Sequence, residues 1–207
     1  MCPNVRGVIG SVVGIVLAVA ACNGDSNGSA DPTVPTAASS TTAAAAPDVS
    51  VIPENIDEPY LNAVLAALDK VDGDALRIIY ETKRLPPEAA DLLNAIYSDD
   101  WFKEETTLWF QSLARDPELK GIRPDPGNRK TVVERVISAS RTCVWIAASR
   151  DLSAVNVDPG PSRTQYIHLQ PLDQANDPKK VNPTSWMINE DGYRSDGQEP
   201  SDPCAPQ

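Results

Sequence analysis

The sequence predicts an α+β domain in which a set of helices precedes a curved four-stranded antiparallel sheet and packs on one of its faces. Between residues 56 and 116 apolar side chains recur with the 3.6-residue period of amphipathic helices. Between residues 131 and 194 the period changes to about two, as in strands with one buried face. A block of helices followed by a block of strands is typical of α+β folds.

Four helical segments are predicted, over residues 56–71, 72–85, 88–97 and 98–116. Asp57, with Pro59 just inside, is a start signal for the first helix. Gly73 is interpreted as the break before the second helix, which Asp74 would cap, and Ser98 or Asp99 would cap the fourth. The residues expected to face the core are Leu61, Val64, Leu65, Leu68, Val71, Leu76, Ile79, Tyr80, Ala89, Leu92, Leu93, Ile96, Tyr97, Trp101, Phe102, Leu108, Trp109 and Leu113.

Four strands are expected to follow, in residues 131–140, 142–152, 163–172 and 184–194. They are rich in β-branched and aromatic residues, and the third alternates Tyr166 and His168 against Ile167 and Leu169. The short "SRT" between the first two strands predicts a hairpin turn. Asp191-Gly192 in the last segment is a second turn signal.

The N-terminus predicts export from the cytoplasm. The 14 residues Val8–Ala21 are uncharged and mostly apolar, and as a helix they would span about 21 Å. That length falls short of the roughly 30 Å hydrocarbon core of a bilayer, so a signal peptide over residues 1–21 is favoured over a membrane span.

The sequence "VAA" immediately before Cys22 resembles the bacterial lipobox, an aliphatic residue and two small residues followed by cysteine. The resemblance implies that Cys22 receives a diacylglyceryl group, becomes the first mature residue and holds the protein on the extracytoplasmic face of the cell membrane. Two or more acyl chains would bind the protein stably to the membrane, because each CH₂ group buried in the bilayer contributes about 0.8 kcal/mol to the binding free energy. The alternatives are an uncleaved anchor and a secreted protein with an incidental cysteine.

Residues 22–53 are predicted to be the lipidated cysteine and a disordered Ala/Ser/Thr/Pro linker. Residues 23–53 contain no Lys, Arg or aromatic residue, so they bury too little apolar area to offset chain entropy. A linker of roughly 30 residues reaches about 30 Å. Residues 54–207 are then a single α+β domain.

Two cysteines, Cys143 and Cys204, remain after removal of Cys2 and lipidation of Cys22. Outside the cytoplasm such a pair is typical of a disulfide, which here would fasten the C-terminal tail to the sheet. The alternatives are a reactive thiol pair and a set of metal ligands. There is no CxxC motif and no second histidine beside His168 to favour either.

The stretches "SASRTCVWIAASRD", "YIHLQPL", "NPTSWMINEDGYRSDG" and "DPC", taken with the element order, resemble the nuclear transport factor 2-like superfamily. In particular they are similar to small actinobacterial lipoproteins. The resemblance implies a conical pocket between helices and sheet. The strand residues that would line such a pocket are Trp145, Asp151, Tyr166, His168 and Trp186.

Composition and motifs narrow the function. A net charge of −11 disfavours nucleic acids and anionic lipid heads as partners. No nucleophile elbow, phosphate loop or HExxH motif is found, so we expect no catalytic residue, metal or cofactor. We therefore expect a non-enzymatic envelope protein that binds a partner protein or a small apolar ligand. The alternatives are an enzyme of ketosteroid-isomerase type and a structural subunit of an envelope complex.

The lipid anchor is testable by replacing its sulfur. We expect Cys22→Ser to abolish incorporation of radiolabelled palmitate and to weaken membrane retention, because serine offers no thiol for thioether formation. Metabolic labelling and membrane fractionation in a bacterial host measure both effects. Cys2→Ser is the matched control and should leave labelling intact. Undiminished labelling of Cys22→Ser would show that the anchor is elsewhere.

Overall fold

The computed structural model describes residues 45–192 and 198–205. These residues all belong to one compact unit. The predicted signal peptide, Cys22 and the linker as far as residue 44 lie outside the described residues. In the described part no helix is both long enough and apolar enough to cross a bilayer.

The described chain forms helices first and strands second, which confirms the predicted α+β class. The helices are α1 (Glu58–Thr82), α2 (Pro87–Ile96) and α3 (Asp99–Arg115), and the strands are β1 (Lys130–Ser140), β2 (Cys143–Asp151), β3 (Thr164–Pro171) and β4 (Trp186–Gly192). The strands form one antiparallel sheet in the order β1-β2-β3-β4, so each strand pairs with the next along the chain.

Helix α1 is continuous through Gly73, so the predicted break there is wrong. Its start is as expected, since the Asp57 carboxylate accepts a hydrogen bond from the Tyr60 N–H (3.0 Å). The buried Gly73 instead permits a close approach: a Cβ at this position would lie 2.2 Å from Asn128 Oδ1 and 3.2 Å from Asn128 Cα. Asp74, predicted to be a cap, lies inside the helix and forms an ion pair with Lys70.

The core lies between the helices and one face of the sheet. The inward residues predicted for α1 and α2 are buried or partly buried there, as the spacing indicates. Trp186 of β4 is fully buried against α1, and its Nε1–H donates to the Tyr60 hydroxyl (2.8 Å). Burial raises the pKa of Tyr60.

The folded unit begins before Glu54, which corrects the predicted end of the linker. Val49 and Ile52 pack against the core, and the Val49 carbonyl accepts a hydrogen bond from the Ser185 N–H (3.0 Å). The Tyr60 hydroxyl also donates to the Val51 carbonyl (3.0 Å). These contacts supply the apolar burial and hydrogen bonding that composition alone did not indicate.

Both edges of the sheet are bound by the helical layer. On β1, the Asn62 side chain accepts from the Val133 N–H (2.9 Å) and Asp69 accepts from the Thr131 N–H (2.6 Å). On β4, the Ile188 carbonyl accepts from the Ser98 N–H at the start of α3 (2.8 Å). Unpaired edge groups invite pairing with other chains, and these contacts satisfy two such groups on β1 and one on β4.

Two further predictions are corrected by the sheet and by α3. Asp191 and Gly192 lie within β4, where they pair with Ile167 and Tyr166, and do not form a turn. Among residues 99–115, all of which are described, none is fully buried. Trp101, Phe102, Trp109 and Leu113 pack partly against the core, whereas Leu108 is 49% exposed.

Because Asn128 lies so close to Gly73, the stability of the fold should depend on the absence of a side chain at position 73. An added methyl group improves helix propensity by about 1 kcal/mol. It also overpacks the contact with Asn128, at a cost of about 1–3 kcal/mol. We therefore expect Gly73→Ala to lower the free energy of unfolding by about 1 kcal/mol in urea denaturation.

The control for this prediction is Asn128→Ala, which removes the amide that the methyl group would meet. In that background Gly73→Ala should cost less or become stabilising. An equal loss with and without the Asn128 side chain would show that the approach of the two residues is not the cause.

Candidate functional site

The predicted pocket residues lie on opposite faces of the sheet. Trp186 belongs to the helix-facing core. Trp145 alternates with Val144 and Ile146, which face the helices, so its side chain points to the other face. Tyr166 and His168 lie on that outer face with it, at ring-centroid distances from Trp145 of 5.8 and 6.4 Å.

The expectation that these residues line one conical pocket is therefore wrong. The sheet separates Trp186 from the other three aromatic rings, and Val144, Ile146 and Ile167 on its helix-facing side are fully buried in the core. Asp151 lies at the exposed end of β2, where its carboxylate accepts from the Ser153 N–H (2.8 Å). That hydrogen bond lowers the pKa of Asp151, so it is unsuited to act as a base at neutral pH.

The outer face is covered by the C-terminal tail. Cys143 and Cys204 form a disulfide, as the sequence predicts, with their Cα atoms 5.6 Å apart. Two side-chain contacts add to it: Arg135 forms an ion pair with Glu199 (2.6 Å), and Ser138 Oγ donates to Asp202 (3.1 Å). The tail thus gives the sheet a second covered surface.

His168 lies directly beside the disulfide. Its Nε2 is 3.2 Å from Cys143 Sγ, and its Nδ1 is 3.1 Å from the side-chain amide of Asn189. Strand pairing brings these three residues together: His168 lies in β3, between Cys143 at the start of β2 and Asn189 in β4. Cys143, His168 and Cys204 are the described group whose donor atoms could hold a metal ion. The sequence showed each residue but not their convergence.

A buried polar network was missed by sequence reasoning. Asp69 of α1 accepts from Arg129 Nε (2.7 Å), the Thr131 N–H (2.6 Å) and Thr131 Oγ1 (3.0 Å). Arg129 also contacts Asp72 (3.4 Å) and donates to the Tyr97 hydroxyl (3.1 Å). The side chains of Asp69 and Arg129 are only 5% and 9% exposed.

This network joins α1, the end of α2 and the start of the sheet. Both oxygens of Asp69 accept hydrogen bonds from residues at the start of the sheet, so the carboxylate fastens α1 to β1. The Tyr97 hydroxyl donates to Asp72 (2.9 Å), which brings the end of α2 into the same set of contacts. A buried charge is tolerated when it is paired and hydrogen-bonded in this way. The one sequence signal was the pair of aspartates three residues apart in α1.

A groove of about 350 Å³ lies between α3 and the loop that follows it. Apolar surface dominates its lining, which also includes the charged residues Glu105 and Asp116. It is lined by Glu105, Leu108, Trp109, Ser112, Asp116, Leu119, Gly121 and Ile122. Leu108, predicted to face the core, instead faces this groove because α3 packs only partly against the other elements.

The sequence matches no protein-family model, and at a significant level it matches neither a curated protein nor a solved structure. The α+β class therefore rests on the observed elements, and the interpretation of the groove rests on its own chemistry.

The buried network predicts unequal effects for two aspartates of α1. We expect Asp69→Asn to lower the free energy of unfolding by about 3 kcal/mol, because Arg129 would keep a buried charge without its carboxylate partner. Asp74→Asn is the matched control. It removes a carboxylate that is 36% exposed and pairs at the surface, so the loss should stay below about 1 kcal/mol.

Urea denaturation followed by circular dichroism measures both variants. Equal losses would show that the Asp69 network contributes no more than a surface ion pair.

Proposed function

We propose that this protein is a lipid-anchored, non-enzymatic binding protein of the extracytoplasmic envelope, and that the groove beside α3 takes a small apolar ligand. The observation that carries this proposal is the apolar lining of that groove, with Leu108, Trp109, Leu119 and Ile122 converging on one space. Ligand sites are typically concave and mostly apolar, with a few polar groups that orient the ligand.

The volume and charge of the groove limit the size and charge of the ligand that it can bind. Its volume, about 350 Å³, suits a small molecule. Glu105 and Asp116 stand among its polar lining residues, and the chain as a whole carries a net charge of −11. An anionic ligand would be repelled. A neutral or cationic apolar molecule fits both the lining and the charge.

The predicted signal peptide over residues 1–21, the lipobox resemblance at Cys22 and the Ala/Ser/Thr/Pro linker support the proposed location. The disulfide supports an oxidising compartment outside the cytoplasm. Membrane lipid would then be a partner through acylated Cys22. The order of helices followed by a four-stranded meander supports, at the level of architecture, a nuclear transport factor 2-like fold.

A partner protein is the second candidate for the α3 surface. Phe110 is 59% exposed on the same helix as Leu108, and an exposed aromatic residue of this kind is common at protein interfaces. Leu108 lines the groove and Phe110 does not, so the two residues distinguish a ligand site from a docking surface.

The experiment is a titration of the full chain in detergent with the neutral apolar dye N-phenyl-1-naphthylamine, followed by its fluorescence enhancement. We expect saturable binding of one equivalent. Leu108→Ser should weaken the binding about 5-fold or more, since loss of roughly 1 kcal/mol of apolar contact is expected. Phe110→Ser is the matched control on the same helix and should leave dye affinity unchanged.

Native mass spectrometry of the protein purified from its own membrane provides the second readout. A retained small-molecule mass that disappears in Leu108→Ser supports the groove as the natural site. Equal loss of dye binding in both variants, or no saturable binding at all, would contradict the proposal.

A further inference from the structure

We propose that Cys143, Cys204 and His168 form a three-coordinate Cu(I) site when the disulfide between the two cysteines is reduced. The site lies on the outer face of the sheet and is separate from the groove beside α3. It is therefore independent of the proposed ligand-binding function, and in an oxidising compartment it would form only where a dithiol reductant is supplied.

The donor atoms already converge in the oxidised protein. Both sulfur atoms and a ring nitrogen of His168 lie within 4.8 Å of one another. His168 Nε2 is 3.2 Å from Cys143 Sγ, so this nitrogen needs little movement to reach an ion held by the sulfurs. Two thiolates and one imidazole are a soft donor set, which Cu(I) favours over hard cations.

The histidine is held in position by residues that are not ligands. The Asn189 side chain lies 3.1 Å from Nδ1, which directs Nε2 toward the sulfur atoms. In the oxidised protein the Asn189 Nδ2–H donates to Nδ1. Metal binding at Nε2 requires this amide to turn, so that its carbonyl oxygen accepts Nδ1–H and the Nε2 lone pair faces the metal. An outer hydrogen bond of this kind is usual for metal-binding histidines. The fully buried Trp145 packs edge-on against the His168 ring and restricts it further.

The cysteines can separate by the distance that a metal requires. Two thiolates on one ion with metal–sulfur bonds of about 2.3 Å lie about 4 Å apart. Cys143 is fixed at the start of β2, but Cys204 lies in a segment, residues 198–205, that contains no helix or strand. Movement of the tail therefore supplies the extra separation without disturbing the sheet.

The redox step balances with a dithiol reductant. The reductant transfers two electrons and two protons to the disulfide, becomes a disulfide itself and leaves both cysteines as thiols. Cu(I) then displaces one proton from each thiol and binds the neutral imidazole of His168. In the reverse direction a small-molecule disulfide takes two electrons from the two thiolates and two protons from water and becomes a dithiol. The Cys143–Cys204 disulfide is restored and Cu(I) is released, so occupancy of the site follows the local thiol–disulfide balance.

The test uses the full chain with Cys2→Ser and Cys22→Ser, so that Cys143 and Cys204 are the remaining thiols. The purified protein in detergent is reduced, freed of reductant without oxygen, and titrated against the coloured Cu(I)–bicinchoninate complex. We expect the reduced form to withdraw one equivalent of Cu(I) and the oxidised form to withdraw none. X-ray absorption should show two sulfur neighbours and one nitrogen neighbour.

Three variants distinguish the metal-binding histidine from the residues around it. His168→Gln should weaken Cu(I) binding at least 10-fold, and Asn189→Ala should weaken it about 10-fold through loss of the outer hydrogen bond. Tyr166→Phe is the control, since Tyr166 shares the same face but is not a ligand. Near-ultraviolet circular dichroism checks that the reduced chain stays folded.

Three results would overturn the proposal. The first is equal Cu(I) withdrawal by the parent and His168→Gln. The second is retention of Zn²⁺ in preference to Cu(I), which would assign a different metal. The third is loss of the folded signal on reduction that Cu(I) does not restore.

Discussion

The carboxylate of Asp69 is the contact on which the arrangement of helices and sheet depends. It lies on the long helix α1 and accepts hydrogen bonds from Arg129 and from both the backbone and the side chain of Thr131 at the start of β1. Seven residues earlier on the same helix, Asn62 accepts from the Val133 N–H. Residues seven apart lie on the same face of a helix, and alternate residues of a strand point their N–H groups to the same side. Asn62 and Asp69 therefore both reach the free edge of β1, and α1 is fixed against the sheet at two points.

The sheet carries different chemistry on its two faces. The helix-facing side is a mostly aliphatic core in which Trp186 donates a hydrogen bond to Tyr60. The aromatic residues of the outer face are not part of this core. The outer side combines Trp145, Tyr166 and His168 with a disulfide and a polar tail. The disulfide therefore lies on the face of the sheet opposite the helices, and the core between the helices and the sheet does not include it.

Helix α3 explains why a groove exists at all. Its contact with the rest of the domain is made mainly by partly buried aromatic residues, and Leu108 and Phe110 remain about half exposed. An apolar side chain left in water lacks the stabilisation that burial would provide, so covering Leu108 and Phe110 with a bound molecule would be favourable. Two acidic residues, Glu105 and Asp116, are among the residues that line the groove.

What the sequence determined by itself was local: the period of the helices and strands, the cap at Asp57, and the pairing of Cys143 with Cys204 once two other cysteines were assigned elsewhere. These follow from neighbouring residues and from composition, and the lipobox resemblance at Cys22 is of the same kind. The sequence did not reveal that Gly73 permits the close approach of Asn128, or that Val49 and Ile52 pack on the core. Nor did it reveal that Trp145 and Trp186 lie on opposite faces of the sheet. Those outcomes depend on strand register and on contacts between residues far apart in the chain. The convergence of His168 with the disulfide is of this second kind, because only the pairing of β2 with β3 brings a residue 25 positions away to within 3.2 Å of Cys143 Sγ.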